Sequence, residues 1–299
     1  MLTELLFVFA SLFILFYPLA NLFAKKRTIW RLVLFNELEL VLWIYVCFYI
    51  GWGLNYFRYD FYQRTSVARS VYNKERFERF LQNYTDSLNS FYHIKQQLTS
   101  QNVEQKVKKV YMRQKLDASL LMPPDGHFSK ISVIDKLYAS VGVVGYMGPF
   151  FCESYVNHRL SRLEYVFTYA HELSHLLGVS NEAEANFWAY LTCIHSDDSF
   201  VRLAGYWGLF PYVNRNAINI LSEEDYTHWI KLLDKEFLAE YNSRMKYWHD
   251  IYSPLFGEVQ NMVYEYFLKV NGISSGMKNY GEVIGLVLSL PDDYESLFL

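Results

Sequence analysis

Apolar and polar positions follow three regimes along this chain. Leu5 to Ala24 carries no charge over twenty residues, and Leu40 to Phe57 none over eighteen. At 1.5 Å of rise per helical residue, the first run is long enough, and the second barely long enough, to cross a bilayer core of about 30 Å. Glu37 and Glu39 precede the second run and belong near an interface. Lys25, Lys26, Arg27 and Arg31 lie between the runs. Such residues favour the cytoplasmic side, so the pattern predicts two membrane passes, with both the N-terminus and everything after Phe57 outside. The first run has no basic stretch before it and no Ala-x-Ala site after it, which disfavours a cleaved signal peptide. A buried helical hairpin is the alternative reading of the two runs.

The second regime has helical period. From Tyr72 onward, Phe77, Phe80, Leu81, Tyr84, Leu88 and Phe91 recur at three- and four-residue steps. Lys106 to Lys115 reads as a solvated helix face, and Pro123-Pro124-Asp125-Gly126 as a break. Arg159 to Leu177 is periodic and stops at Gly178, a helix restarts at Asn181 and runs through Cys193, and further helices are predicted over Ser222 to Tyr247 and Tyr252 to Val270. The third regime is Ser140 to Phe151, rich in Val, Gly, Tyr and Phe, which predicts one or two short strands or a hairpin. The predicted fold is therefore α+β and mostly helical with a small sheet. Its organisation is a two-helix membrane anchor over residues 1–57 and an extracytoplasmic domain over 58–299.

Composition narrows the class. Hydrophobic residues are 52% and charged ones 20%, too apolar for disorder and too charged for a polytopic transporter. A net charge of -3 offers no nucleic-acid surface. Cys47, Cys152 and Cys193 form no CxxC pair, so neither a cysteine zinc site nor a disulfide framework is predicted.

The chemistry concentrates at His171-Glu172-Leu173-Ser174-His175. Two histidines four apart project from one helix face, one turn above the other. Both imidazoles then reach a single zinc ion at roughly 2.0–2.1 Å. Glu172 is rotated about 100° from His171 and is placed to take a proton from water at the metal as general base. Thr168, Tyr169, Ala170, Leu176 and Leu177 flank the motif without charge or proline, as suits a helix buried in a core. Two hydrogen-bonded core histidines are the bland alternative, which leaves the buried Glu172 without a reason.

A catalytic zinc site takes a third protein ligand and keeps a position open. The candidates are Glu182 and Glu184, with His195 more distant. Glu182 and Asn186 face the same way on a helix, so Glu182 can bind metal while Asn186 supports the site. The Glu-x-x-Ala-Asn string also resembles the Glu-x-x-Ala-Asp string of several Glu-type zincins, which favours Glu182 and leaves Glu184 open. Gly178 and Asn181 mimic metzincin spacing, but Asn is a poor zinc ligand, and that reading is rejected. Val141 to Phe151 is placed to act as the edge strand that pairs with an extended peptide, and Glu153 either nears the cleft or forms a strand-end ion pair. The oxyanion helper is sought among Tyr206, Arg202, His228 and His249, with Tyr206 chosen.

The chain resembles a bacterial family of membrane proteins catalogued as domain of unknown function thirty-eight ten, inferred to be zincin-like. The resemblance is carried by Gly53-Leu-Asn-Tyr-Phe-Arg58, by Gly145-Tyr-Met-Gly-Pro-Phe150 leading to Glu153 and Asn157, by His171 to His175, by Glu182-Ala-Glu-Ala-Asn-Phe187, and by Gly205-Tyr206. It implies two N-terminal passes and an extracytoplasmic zinc-peptidase-like domain. The expectation is a cell-membrane zinc metallopeptidase holding one zinc ion per chain, with the lipid bilayer and a peptide or protein substrate as partners. A catalytically idle zincin-fold sensor or binding module is the alternative, disfavoured by the intact Glu172. An intramembrane protease is disfavoured by Arg159, Arg162, Glu164 and Asn181 around the motif.

Overall fold

The computed structural model describes residues 13–14, 29–69, 73–94, 102–273, 282–291 and 294–298. Apart from Phe13 and Ile14, the Leu5–Ala24 run lies outside the described residues.

Helix α1 spans Ile29–Gly51. It begins well before the uncharged run, so Glu37 and Glu39 lie inside it. Its segment Val33–Gly51 is long and apolar enough to cross a membrane, with a mean hydropathy of 1.7 and only 11% of it covered by protein. A helix this apolar and this uncovered matches a lipid-facing element better than a core helix. The far end of the uncharged run is not part of it. The chain turns at Trp52 into a 3-10 turn, Gly53–Phe57, and Trp52 is buried in the domain. The physical reason is a better partner: the Trp52 indole donates to the His175 carbonyl at 3.1 Å, and Tyr56 packs edge-on to Trp52 and Phe267.

After α2 (Phe61–Thr65), started by an Asp60 capping box, helices α3 (Lys74–His93) and α4 (Val103–Arg113) pack amphipathic faces on the core. Phe77, Leu81, Tyr84 and Leu88 of α3 are buried, as their spacing predicts. The lysine-rich α4 is not wholly solvated: Lys108 is buried, and its ammonium donates to the Asp125 and His127 carbonyls at 2.6 and 3.2 Å, holding the proline break. Strand β1 (Lys130–Ile131) and helix α5 (Asp135–Ser140) lead into the hairpin β2 (Gly145–Gly148) and β3 (Glu153–Val156). The sheet order is β1-β3-β2. β3 is parallel to β1 and antiparallel to β2, with Gly145 opposite Val156 and Gly148 opposite Glu153. Among the described residues β2 is therefore an edge strand.

Three helices form the centre: α6 (Arg162–Leu176), α7 (Glu182–Ile194) and α8 (Ser199–Ile220), each packed on the other two, with α3 and α4 against them. Tyr84, Tyr169, Phe187, Trp188 and Phe210 are fully enclosed. Side chains of this kind each remove roughly 150–250 Å² from water, on the order of 4–6 kcal/mol at ~25 cal/mol per Å². Helix α8 is absent from the sequence prediction because Gly205, Gly208 and Pro211 interrupt its pattern. Tertiary packing carries the helix through them, although Pro211 removes the donor that would meet the Trp207 carbonyl. The predicted Ser222–Tyr247 helix is two, α9 (Glu223–Leu232) and α10 (Lys235–Ile251). Asp234 splits them by capping the second, its carboxylate accepting from the Glu236 and Phe237 amides at 2.8 and 3.0 Å. Helices α11 (Pro254–Val270) and α12 (Val283–Ser289) and a 3-10 turn, Tyr294–Phe298, complete the described fold.

Candidate metal centre

Local rules set the two helices that meet at the site. Ser161 accepts from the Glu164 amide, and Glu164 accepts from the Ser161 amide at 2.7 Å, a capping box that starts α6. Arg244 and Trp248 of α10 donate to the same carboxylate at 2.6 and 2.9 Å, tying the start of α6 to the rest of the domain. At the other end Gly178 takes φ of +100°, a left-handed conformation that glycine adopts without a Cβ penalty. The chain then folds back so that the Val179 carbonyl meets His175 Nδ1 at 2.7 Å. Asn181 caps α7 by accepting from the Glu184 amide at 2.9 Å, and this places Glu182 in the first turn of α7.

His171, His175 and Glu182 converge. The two imidazole Nε2 atoms are 3.1 Å apart, and Glu182 Oε2 lies 3.2 Å from His171 Nε2 and 3.5 Å from His175 Nε2. Ligand atoms of a tetrahedral zinc at roughly 2.0–2.1 Å are about 3.3 Å from one another, so the three donors stand at the edges such an ion requires. The far side of each ring is held in the way a metal ligand needs. His175 Nδ1 can only donate to the Val179 carbonyl, so in the neutral ring the lone pair is on Nε2, toward Glu182. His171 Nδ1 lies 2.9 Å from Asn186 Oδ1, and the Tyr264 hydroxyl donates to Glu182 Oε1. Two imidazole lone pairs and a carboxylate aimed at one point repel unless a cation lies between them. The residues fit zinc.

The cluster also perturbs its own protonation. Burial opposes a charge on Glu182, but His175 and His171 outweigh it and hold its carboxyl well below the usual carboxylate range. Burial also opposes a charge on His175, yet Glu182 outweighs it and raises the imidazole to about 9, so a proton takes the shared position when nothing else does. Glu172 is fully enclosed. Burial raises it to about 7 against the pull of His171 and His175, and its Oε2 is a buried oxygen with no hydrogen-bond partner among the described residues. Gly145 of β2 faces it: a Cβ there would come within 2.7 Å of both Glu172 Oε1 and Thr168 Cγ2. The glycine lets the edge strand lie directly against the motif.

These groups line a cleft of about 760 Å³. Its walls include Trp52, β2, Pro211 and Tyr212 of α8, and Tyr264 and Phe267 of α11. Tyr212 and Tyr264 were not singled out by the sequence, where 26 tyrosines look alike, and Tyr56 entered only as part of the Gly53–Arg58 segment. Burial, with the charge of Glu182 added, raises the Tyr56 and Tyr212 hydroxyls, so both remain protonated donors.

Other predicted residues lie elsewhere. Glu184, two positions along α7, turns away from the cluster to pair with Arg64 and accept from Trp188 Nε1 at 3.1 Å, while Arg64 also bonds Asp117 at 3.0 Å. That buried pairing corrects its candidacy as a ligand. Tyr206 is likewise corrected: it sits on the other side of α8 from the cleft, packed against Tyr84, Phe91 and Tyr190. Arg202 donates to the Ser196 carbonyl, and His195 stacks on Phe298. Glu153 is the strand-end ion pair, with Lys130, and also accepts from the Tyr155 hydroxyl at 2.7 Å.

No curated protein and no solved structure matches the chain. A family model described as Protein of unknown function (DUF3810) matches it over residues 1–288, nearly its whole length, and the chain belongs to that family.

Proposed function

We propose that this chain is a membrane-anchored zinc metallopeptidase of zincin type, with His171, His175 and Glu182 holding the metal and Glu172 as general base. The observation that carries the reading is the triangle of Nε2, Nε2 and Oε2 atoms at 3.1, 3.2 and 3.5 Å beside the buried Glu172, whose own Oε2 has no partner among the described residues. Zinc in that triangle supplies Lewis acidity toward water and toward a substrate carbonyl. Glu172 takes the proton of the attacking water and delivers it to the amine nitrogen as the C–N bond breaks. The outer edge of β2 offers unpaired backbone groups to an extended peptide beside the motif. Tyr212, in place of Tyr206, is the donor we assign to the developing oxyanion, because the residue lines the cleft and its hydroxyl stays protonated. Helix α1 anchors the domain. A first pass at Leu5–Ala24 and an extracytoplasmic domain complete the proposal, on the charge pattern of Lys25 to Arg31.

The test is elemental analysis of the full chain purified in detergent, with hydrolysis of a mixed peptide library compared between the parent and Glu172→Gln. The expected outcome is about one zinc per chain in both proteins and cleavage by the parent alone, with the variant slower by roughly 10²–10⁴-fold. A folded chain that takes up no zinc after dialysis against it refutes the proposal.

A further inference from the structure

Helix α11 has two unlike sides. Toward the domain, Gln260, Asn261, Tyr264 and Phe267 line the cleft, and the Tyr264 hydroxyl donates to Glu182. Away from it, Leu255, Val259, Met262, Val263, Tyr266 and Val270 are all exposed, with Leu255, Met262 and Tyr266 at 71, 72 and 72%. At 100° per residue these six fall within an arc of about 100°. No described element covers that arc. On one flank of it stand Glu258, Glu265 and Lys269, the last two paired at 2.7 Å. An apolar arc beside a charged flank describes a helix that can lie in the plane of a membrane interface.

The arc is also continuous with the candidate span. Where α1 ends, the Tyr49 hydroxyl donates to Asn271 Oδ1 at 2.7 Å just beyond α11, and Phe48 and Tyr56 pack edge-on to Phe267. Ile50, Leu54 and Phe57 are exposed around the same junction. A soluble protein rarely leaves an apolar surface of this extent bare. The lipid that surrounds α1 is the one apolar solvent already placed beside it.

We infer that the outer face of α11 is seated in the bilayer interface next to α1, so that one wall of the cleft is a membrane-embedded helix and substrate reaches the metal site from the membrane surface. This rests on the reading of α1 as a membrane anchor. The bilayer then lies one helix thickness, about 10 Å, from the Tyr264–Glu182 contact. The substrate class that follows is a polypeptide segment close to a membrane, such as the stalk of an anchored protein, rather than a freely diffusing peptide. The charged flank holds two acids and one lysine, so attraction to anionic headgroups contributes little, and neutral lipid suffices.

The test uses the full chain in phosphatidylcholine nanodiscs, with exposed Cys47 and Cys152 changed to Ser and buried Cys193 kept. Spin labels are placed one at a time through Val259→Cys, Met262→Cys and Tyr266→Cys on the apolar arc, through Glu258→Cys and Glu265→Cys on the flank, and through Leu42→Cys on α1. The reading is the accessibility of each label to oxygen, which concentrates in lipid, relative to a water-soluble nickel complex. The inference expects a ratio several-fold higher at 259, 262 and 266 than at 258 and 265. Water-like ratios on the arc with a lipid-like ratio at 42 overturn the inference and leave the anchor standing. A water-like ratio at 42 removes the anchor and this inference with it. Labels on the arc shielded from both agents overturn it in favour of a protein cover, either a second copy or the Leu5–Ala24 run. Zinc content of the same samples reports on the metal proposal separately.

Discussion

Glu182 and Glu184 are two positions apart on one helix, and the structure sets them in different surroundings that one pair of substitutions separates. Glu182→Gln keeps the side-chain shape and removes the anionic member of the proposed metal triangle. Glu184→Gln leaves the buried Arg64 guanidinium with one carboxylate partner, Asp117, instead of two. Losing a charged partner in a buried pair costs about 2–3 kcal/mol when a second partner stays. At roughly 2–4 °C per kcal/mol for a chain of this size, Glu184→Gln should melt about 4–12 °C below the parent while keeping its zinc. Glu182→Gln should lose its zinc, and with it the stabilisation a bound ligand provides, about 4 kcal/mol when free zinc is a thousandfold above the dissociation constant. The assay is thermal unfolding of full chains in detergent, with and without chelator, alongside elemental analysis. The parent and Glu184→Gln should both drop on chelation, and Glu182→Gln should not respond. Loss of metal from Glu184→Gln, or one zinc and an intact chelator response in Glu182→Gln, would overturn the assignment of Glu182 as the ligand.

Three further outcomes follow from the same geometry. Asn186→Ala removes the partner of His171 Nδ1 and should weaken zinc affinity by about 10–100-fold in a competition titration, with the fold retained; an unchanged affinity would sink the orienting role. Gly145→Ala brings a Cβ within 2.7 Å of Glu172 and should cut peptide hydrolysis by on the order of 10²-fold at full zinc occupancy, because displacing a reacting group by about 1 Å is that costly; a fully active variant refutes the close packing of β2 on the motif. Zinc affinity should also rise with pH up to about 9, where His175 gives up the proton that Glu182 holds on it. Below that pH, zinc must displace the proton, so apparent affinity should fall by up to about tenfold per pH unit; a flat profile between pH 6 and 9 refutes the competition.

What could be read without coordinates is what short stretches of backbone decide. His171 and His175 share a helix face because a turn takes 3.6 residues, wherever that helix sits in the protein. The stop at Gly178, the buried face of α3 and the short strand at Gly145 come from equally local causes: a glycine free of a Cβ, an apolar period, and β-branched and aromatic residues beside turn formers. Nothing local separates Glu182 from Glu184, since either could face α6. Arg64, 120 residues earlier, takes Glu184 and leaves Glu182 for the histidines. The same holds for the aromatic walls of the cleft. Trp52, Tyr212 and Tyr264 come from the end of α1, from a helix that runs through Gly208 and Pro211 against its own propensities, and from α11. Contacts between such distant segments leave no period or spacing in the chain. They exist because burying aromatic surface and satisfying buried polar groups outweighs what each segment prefers alone.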